Sequence, residues 1–275
     1  MTTNQGPLVL VTGSTDGIGR ETARELCRRG ARVILHGRSA ERLERTRAEL
    51  TVHASTALPA PLTGDLSSLA GVRALAEALL ARGEPLDVLV NNAGVYLTDR
   101  RLTVDGFELT MAVNHFAPFL LTHLLLPALE GSGHGRVVHV SSVAHTRGEL
   151  DLADLTFARR FSGYAAYAAS KLANVLFSVE LARRLASRPV TTNALHPGVV
   201  STKLLKAGFG MEGPDSLAEG AATSVYLALS PEVAEVTGRY FVKRRQAPAA
   251  PAASDVALCR AFYEESARLT GASPL

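Results

Sequence analysis

Short apolar runs that alternate with longer amphipathic stretches constrain this chain most. The runs are Leu8 to Thr12, Arg32 to His36, Ala57 to Leu62, Leu86 to Asn91, Arg136 to Ser141, Val190 to His196 and Arg239 to Lys243. Between them, Arg20 to Arg29, Leu69 to Arg82, Phe107 to Leu129, Tyr167 to Arg184 and Leu217 to Leu229 carry helical periodicity. Strands apolar on both faces and separated by helices predict an α/β architecture, a doubly wound parallel sheet with helices on both faces. At 275 residues, 47% of them hydrophobic, the whole chain 1–275 is expected to fold as one domain. Two longer irregular stretches, 143–163 and 199–215, are expected to shape a substrate pocket at the strand ends. Gln246 to Ala253 reads as a connector to a last helix, Asp255 to Leu269.

Composition narrows the function classes. The formal net charge is +3, but the arginines stand beside acids, as in ERLERTRAEL from Glu41 to Leu50, which describes a solvated helix face. No nucleic-acid partner is expected. Cys27 and Cys259 have no CxxC partner, and the eight histidines show no HxxxH or HExxH spacing, so no metal site is expected. The run Leu8 to Val11 is too short for a signal peptide, and Leu120 to Leu129 carries Thr122, His123 and Pro127, so no membrane span is expected and the chain reads as cytoplasmic.

The first strand runs straight into Gly13-Ser14-Thr15-Asp16-Gly17-Ile18-Gly19, and a helix follows at once. Glycines allow a tight turn and a close backbone approach, while the helix N-terminus offers N–H groups and partial positive charge to a pyrophosphate. A plain βα turn is the competing reading of this TGxxxGxG spacing, although strand before and helix after are what a dinucleotide site requires. The second strand ends at His36-Gly37-Arg38, where an acid would bind a ribose 2′-hydroxyl and a guanidinium would attract a 2′-phosphate. Arg38 therefore favours NADP(H) over NAD(H), with Asp16 in the glycine turn as the contrary sign. Asp65, followed by Leu66, stands where it can accept from an adenine amino group, and Asn91-Asn92-Ala93-Gly94 offers small residues for a flat ligand and amides to brace backbone.

In Tyr167-Ala168-Ala169-Ser170-Lys171 the tyrosine and lysine are four apart and share a helix face. A neighbouring ammonium and an oxidised nicotinamide ring would favour phenolate, so Lys171 is expected to lower the Tyr167 pKa and to hold ribose hydroxyls. Ser141 and Ser142 put hydroxyls at the carboxyl edge of the sheet, where one can hold a substrate oxygen. Asn114 within a helix either kinks it or holds a water that relays protons towards Lys171. His196-Pro197-Gly198-Val199 stops the sixth strand sharply.

Taken in order, TGSTDGIG, GDL, NNAG, VN at Asn114, VSS, YAASK and HPGVVST cover nearly the whole chain, which thereby resembles the short-chain dehydrogenase/reductase family. The stretches VHVSSVAH, YAASKLANVLFSVELARRL and TNALHPGVVSTKL resemble its retinol-dehydrogenase-related branch. The resemblance implies a Rossmann-type seven-stranded parallel sheet of order 3-2-1-4-5-6-7 and hydride transfer between a nicotinamide and an alcohol or carbonyl. It implies an Asn114-Ser142-Tyr167-Lys171 tetrad with the second serine of the pair catalytic, and cofactor contacts from Pro197, Gly198, Val199 and Thr202. It further implies a homodimer or homotetramer and a small lipophilic alcohol or carbonyl substrate. Phe157, Phe161, Phe209 and Met211, on the two long loops, suit an apolar pocket. A cofactor-binding protein without turnover, or an accessory biosynthetic role on the same fold, is the alternative.

Overall fold

A computed structural model describes residues 6–273 and 275. Seven strands lie parallel, β1 (Leu8–Val11), β2 (Arg32–Gly37), β3 (Leu62–Thr63), β4 (Val88–Asn91), β5 (Gly135–Val140), β6 (Val190–His196) and β7 (Tyr240–Val242), and β8 (Arg245–Gln246) pairs antiparallel with β7. The order is β3-β2-β1-β4-β5-β6-β7-β8. The expected seven-stranded order is present, extended by an eighth strand. That strand was illegible because the turn before it is built from Lys243 and Arg244, at φ 49° and 63°, without the Asn-Gly or Asp-Gly signal such turns usually carry. The third strand is also shorter than the expected Ala57 to Leu62.

The two faces of the sheet explain the apolar runs. Along β1, Leu8 and Leu10 point into a core shared with α3 (Leu69–Leu80), while Val9 and Val11 point into the opposite core shared with α1 (Gly17–Arg28). Leu43 of α2 (Ala40–Thr51) and Val225 of α8 (Leu217–Leu229) complete the α1 side. Phe177 and Leu181 of α6 (Gly163–Arg184) pack on the α3 side. Beside α6 lies α9 (Val256–Thr270).

A three-residue α4 (Leu109–Met111), a π-helical turn (Ala112–Phe116) and α5 (Ala117–Gly131) run on as one helix, Leu109–Gly131. It is the one helix among the described residues long and apolar enough to cross a membrane, and 78% of its apolar window is buried inside the fold. Asn114 sits in the π turn, the local form of the kink its sequence position suggested. The stretch 199–215, expected to be irregular, contains α7 (Lys203–Phe209), and the stretch after β5 opens with a 3-10 turn, Val143–Arg147.

Candidate active site

At the carboxyl ends of β1, β2, β4, β5 and β6 one continuous cleft of about 1010 Å³ runs from Arg38 to Met211. Its floor at one end is the glycine turn. Gly13 has φ 65° and packs against Ala93, and a side chain at Gly19 would collide with the Gly13 carbonyl and the Asn92 amide. The turn is braced from β4: the Asn92 side-chain amide donates to the Thr12 carbonyl at 2.8 Å, and the Thr12 hydroxyl oxygen accepts from the Asn92 and Ala93 N–H groups, both at 3.0 Å. From β2, burial pushes His36 down to about 4, so its ring is neutral and Nδ1 accepts from the Gly13 N–H at 3.3 Å. Thr12 and His36 were not singled out in the sequence, because their service is to the backbone of the turn.

Thr15, Asp16, Gly17, Ile18, Gly19, Arg38, Asp65, Leu66, Asn92, Ala93, Gly94, Pro197, Gly198, Val199 and Thr202 all line the cleft with Gly13. Ser14 does not. It is fully buried, and its hydroxyl accepts from the His36 N–H at 2.9 Å and donates to the His36 carbonyl at 3.3 Å, so it ties β1 to β2 and faces no ligand. Asp65 lines the cleft with one oxygen engaged by the Ser67 N–H at 3.0 Å. Thr202 caps α7, its hydroxyl accepting from the Leu205 N–H at 3.2 Å.

Asp16 caps α1 and accepts from the Gly17 N–H at 2.8 Å. Its carboxylate also binds Lys203 at 2.5 Å and Arg42 at 3.4 Å. The Lys203 hydrogen bond, ahead of the charges of Lys203 and Arg42, holds it below the usual aspartate range. The acid that argued against a 2′-phosphate is therefore neutralised by two cations, while Arg38 is exposed and forms no ion pair among the described residues. Nothing near Asp16 in the sequence reveals Lys203, 187 positions away.

The opposite end holds Ser142, Tyr167 and Lys171. Tyr167 is 7% exposed, and burial pushes its hydroxyl up to about 12, with the Ser142 hydroxyl pulling the other way. The Lys171 ammonium lies 5.5 Å from the Tyr167 ring centroid, donates to the Val140 carbonyl at 3.0 Å, and is brought down to about 8 by burial. In the protein alone burial sets the direction of the Tyr167 shift, whereas the expected lowering by Lys171 also draws on the positive charge of an oxidised nicotinamide. Both shifts favour neutral groups, a phenol that keeps its proton and an amine that parts with one readily.

The two serines are separated by their partners. Ser141 donates to the Lys171 carbonyl at 2.7 Å, so its hydroxyl hydrogen is spent on α6. Ser142 caps the 3-10 turn by accepting from the Ala144 N–H at 3.2 Å, which leaves its own hydrogen to donate into the cleft. His145 fixes this turn, Nδ1 meeting the Ser142 carbonyl at 2.7 Å and Nε2 accepting from the Ala250 N–H at 3.0 Å.

Asn114 lies behind the cleft wall. It is 1% exposed and does not line the cleft. Its Oδ1 accepts from the Val95 N–H at 2.8 Å, and its Nδ2 donates to the Val95 carbonyl at 2.9 Å and to Ser170 Oγ at 3.0 Å. The side chain clamps the Gly94-Val95 loop to α6 and spends both of its amide hydrogens there, so only the oxygens of Asn114 could meet a water.

The apolar wall beside Tyr167 comes from Phe209, 5.6 Å between ring centroids, from Tyr96 at 5.5 Å, and from Leu204. Met211 lines the cleft, half exposed. Phe157 instead packs against a core cluster on the far side of α6, and Phe161 is not among the lining residues.

A nicotinamide dinucleotide fits these residues. The glycine floor lets a pyrophosphate approach the α1 N-terminus, where Asp16 takes the Gly17 N–H, cations ring one end, and hydroxyl and ammonium groups meet at the other.

Comparison with known proteins agrees with the geometry. Residues 7–212 match the short chain dehydrogenase family. Retinol dehydrogenase 13 of Homo sapiens is 41% identical over 286 residues, covering 97% of this chain and 85% of its own. Polyprenol dehydrogenase of Mus musculus is 45% identical over 287 residues, covering 97% and 84%. Among solved structures, an uncharacterized protein from Mycobacterium paratuberculosis superposes with a TM-score of 0.82 at 34% identity, over 99% of this chain and 98% of that one. A short chain dehydrogenase from Escherichia coli CFT073 complexed with NADPH gives 0.71 at 28% identity, over 87% and 97%. The chain belongs to the short-chain dehydrogenase family, in its retinol-dehydrogenase-related branch, and is an oxidoreductase.

Proposed function

We propose that this protein is an NADP(H)-preferring oxidoreductase that interconverts a lipophilic alcohol and its carbonyl, with Tyr167 as the general acid and base. The observation that carries the reading is the single cleft that joins the glycine turn and Arg38 to Ser142, Tyr167 and Lys171. A nicotinamide bound there supplies or accepts the hydride.

The protein's own groups do the rest. Ser142 and Tyr167 donate to the substrate oxygen, and in the reductive direction the Tyr167 hydroxyl releases its proton to that oxygen as charge develops on it. Burial, which keeps Tyr167 protonated at neutral pH, suits a proton donor. Lys171 is the nearest proton source on α6, and its lowered pKa suits the reloading of Tyr167. Asn114 keeps Gly94 and Val95 in register with α6.

Arg38, Arg42 and Lys203 favour a 2′-phosphate over a free 2′-hydroxyl. The NADPH complex of the E. coli structural relative supports the same choice. The names of the human and mouse relatives refer to retinol and polyprenol, both apolar alcohols, and the wall of Leu204, Phe209 and Met211 suits a substrate of that kind.

The test is consumption of reduced cofactor with a series of neutral aldehydes and ketones. Activity that rises with chain length, and is higher in kcat/KM with NADPH than with NADH, is expected. Turnover of short hydrophilic carbonyls alone, or a large NADH advantage, would overturn the substrate or cofactor assignment respectively.

A further inference from the structure

Apart from Asp65, the charged groups along the cleft sort into engaged and free. Asp16 holds Arg42 and Lys203, and Lys171 donates to the Val140 carbonyl. Arg38 and Arg147 remain, both exposed and both without an ion-pair partner among the described residues. Arg38 follows β2 and has the cofactor phosphate to meet. Arg147 follows β5, and in the strand order β2-β1-β4-β5 that is three strand spacings away, about 14 Å. That is too far for both guanidiniums to meet one phosphate, and Arg147 closes the turn that Ser142 opens on the cleft.

Arg147 is held there by design of its turn. The 3-10 turn Val143–Arg147 is pinned at three points: the Val143 N–H on His196 Nδ1 at 3.2 Å, the His145 ring between the Ser142 carbonyl and the Ala250 N–H, and Gly148 against α6, where a side chain would meet the Ala168 carbonyl at 2.5 Å. Glu149, the nearest acid in sequence, is not among the residues that line the cleft. Five residues of 3-10 rise put the Arg147 backbone about 10 Å from Ser142. Val143, Leu204, Phe209 and Met211 give the same cleft apolar side chains.

Resting on the oxidoreductase reading above, we infer that Arg147 is a substrate-specificity residue that binds a carboxylate carried at the far end of an otherwise apolar carbonyl or alcohol substrate. A planar guanidinium on a fixed turn matches a carboxylate with two parallel hydrogen bonds, and a neutral ester offers it no charge. The substrate class is therefore an ω-oxo or ω-hydroxy acid of medium chain length, with the reacting carbon at Ser142 and Tyr167.

The experiment measures binding of a medium-chain ω-oxo acid and of its methyl ester to the Tyr167→Phe protein saturated with NADP, by calorimetry, with and without Arg147→Gln. The acid is expected to bind about tenfold more tightly than the ester, a preference that collapses towards equality when the guanidinium is lost. Arg147→Lys should restore part of it. Equal affinities in the Arg147 protein, or a preference that survives Arg147→Gln, would overturn the inference. NADPH-dependent turnover of the acid by the protein with Tyr167 intact reports separately on the redox reading: no turnover of either acid or ester alongside a retained acid preference would sink that reading and leave the carboxylate site standing.

Discussion

Lys203 of α7 donates to the Asp16 carboxylate at 2.5 Å, so the helix beside the substrate end of the cleft is tied to the glycine turn at the cofactor end. The pair is open to solvent, with side chains 84% and 44% exposed, and adds little to stability. Its consequence is electrostatic. It cancels the charge of an acid standing where a 2′-phosphate would otherwise meet repulsion.

Cofactor choice should follow from this. Arg38→Ala and Lys203→Met are each expected to lower the ratio of NADPH to NADH affinity by about tenfold, because each removes a charged donor from the phosphate end. Asp16→Asn should raise the ratio, since it frees Lys203 and Arg42. Fluorescence titration of the two reduced cofactors checks this, and a ratio unmoved by all three changes would remove the basis for NADP(H) preference.

The buried pair on α6 predicts a dependence of stability on pH. Lys171 falls from its ordinary 10.5 to about 8. Between those values the folded protein has released a proton that the unfolded chain still holds, so this group makes stability rise with pH across that window. Tyr167 rises from 10.0 to about 12. From 10 towards 12 the folded protein keeps a proton the unfolded chain has lost, so its contribution is lost as pH climbs there. Urea denaturation of Lys171→Met beside the unaltered protein isolates the first effect: the stability difference between them should move in favour of the unaltered protein between about pH 7 and about pH 9.5. A difference constant over that range would contradict a buried, depressed ammonium.

Asn114 predicts a structural loss with a functional echo. Asn114→Ala leaves the N–H and carbonyl of Val95 without their partners, at a cost of about 1–3 kcal/mol. Because the loop it clamps lines the cleft at Gly94 and Val95, cofactor affinity should fall as well. An unchanged denaturation midpoint would show that the clamp carries no weight.

The alternating parallel sheet and the glycine turn were legible because they rest on local patterns, apolar runs broken by helical periodicity and glycines at fixed spacing, while the strand order came through the family resemblance. The eighth strand was not, since Lys243 and Arg244 adopt a turn that sequence usually marks with glycine or asparagine. Within the site, the Tyr167 and Lys171 spacing sufficed to place both on one helix face, but the burial that raises Tyr167 is a tertiary quantity that the spacing does not show. Ser14 shows the same limit. Its place in the motif suggested a ligand contact, whereas the fold turns its hydroxyl towards β2. Phe157 and Phe161 lie on the right loop but not on its cleft side, and Arg42, Lys203 and Arg147 acquire meaning only once the strand ends are brought together.

Turnover of an apolar aldehyde with NADPH by Tyr167→Phe, measured beside NADPH affinity, tests whether Tyr167 is the proton donor. Loss of the hydroxyl should lower kcat by about a hundred- to ten-thousandfold while the cofactor still binds. Near-normal turnover by that variant would contradict the account, because the proton would then come from elsewhere.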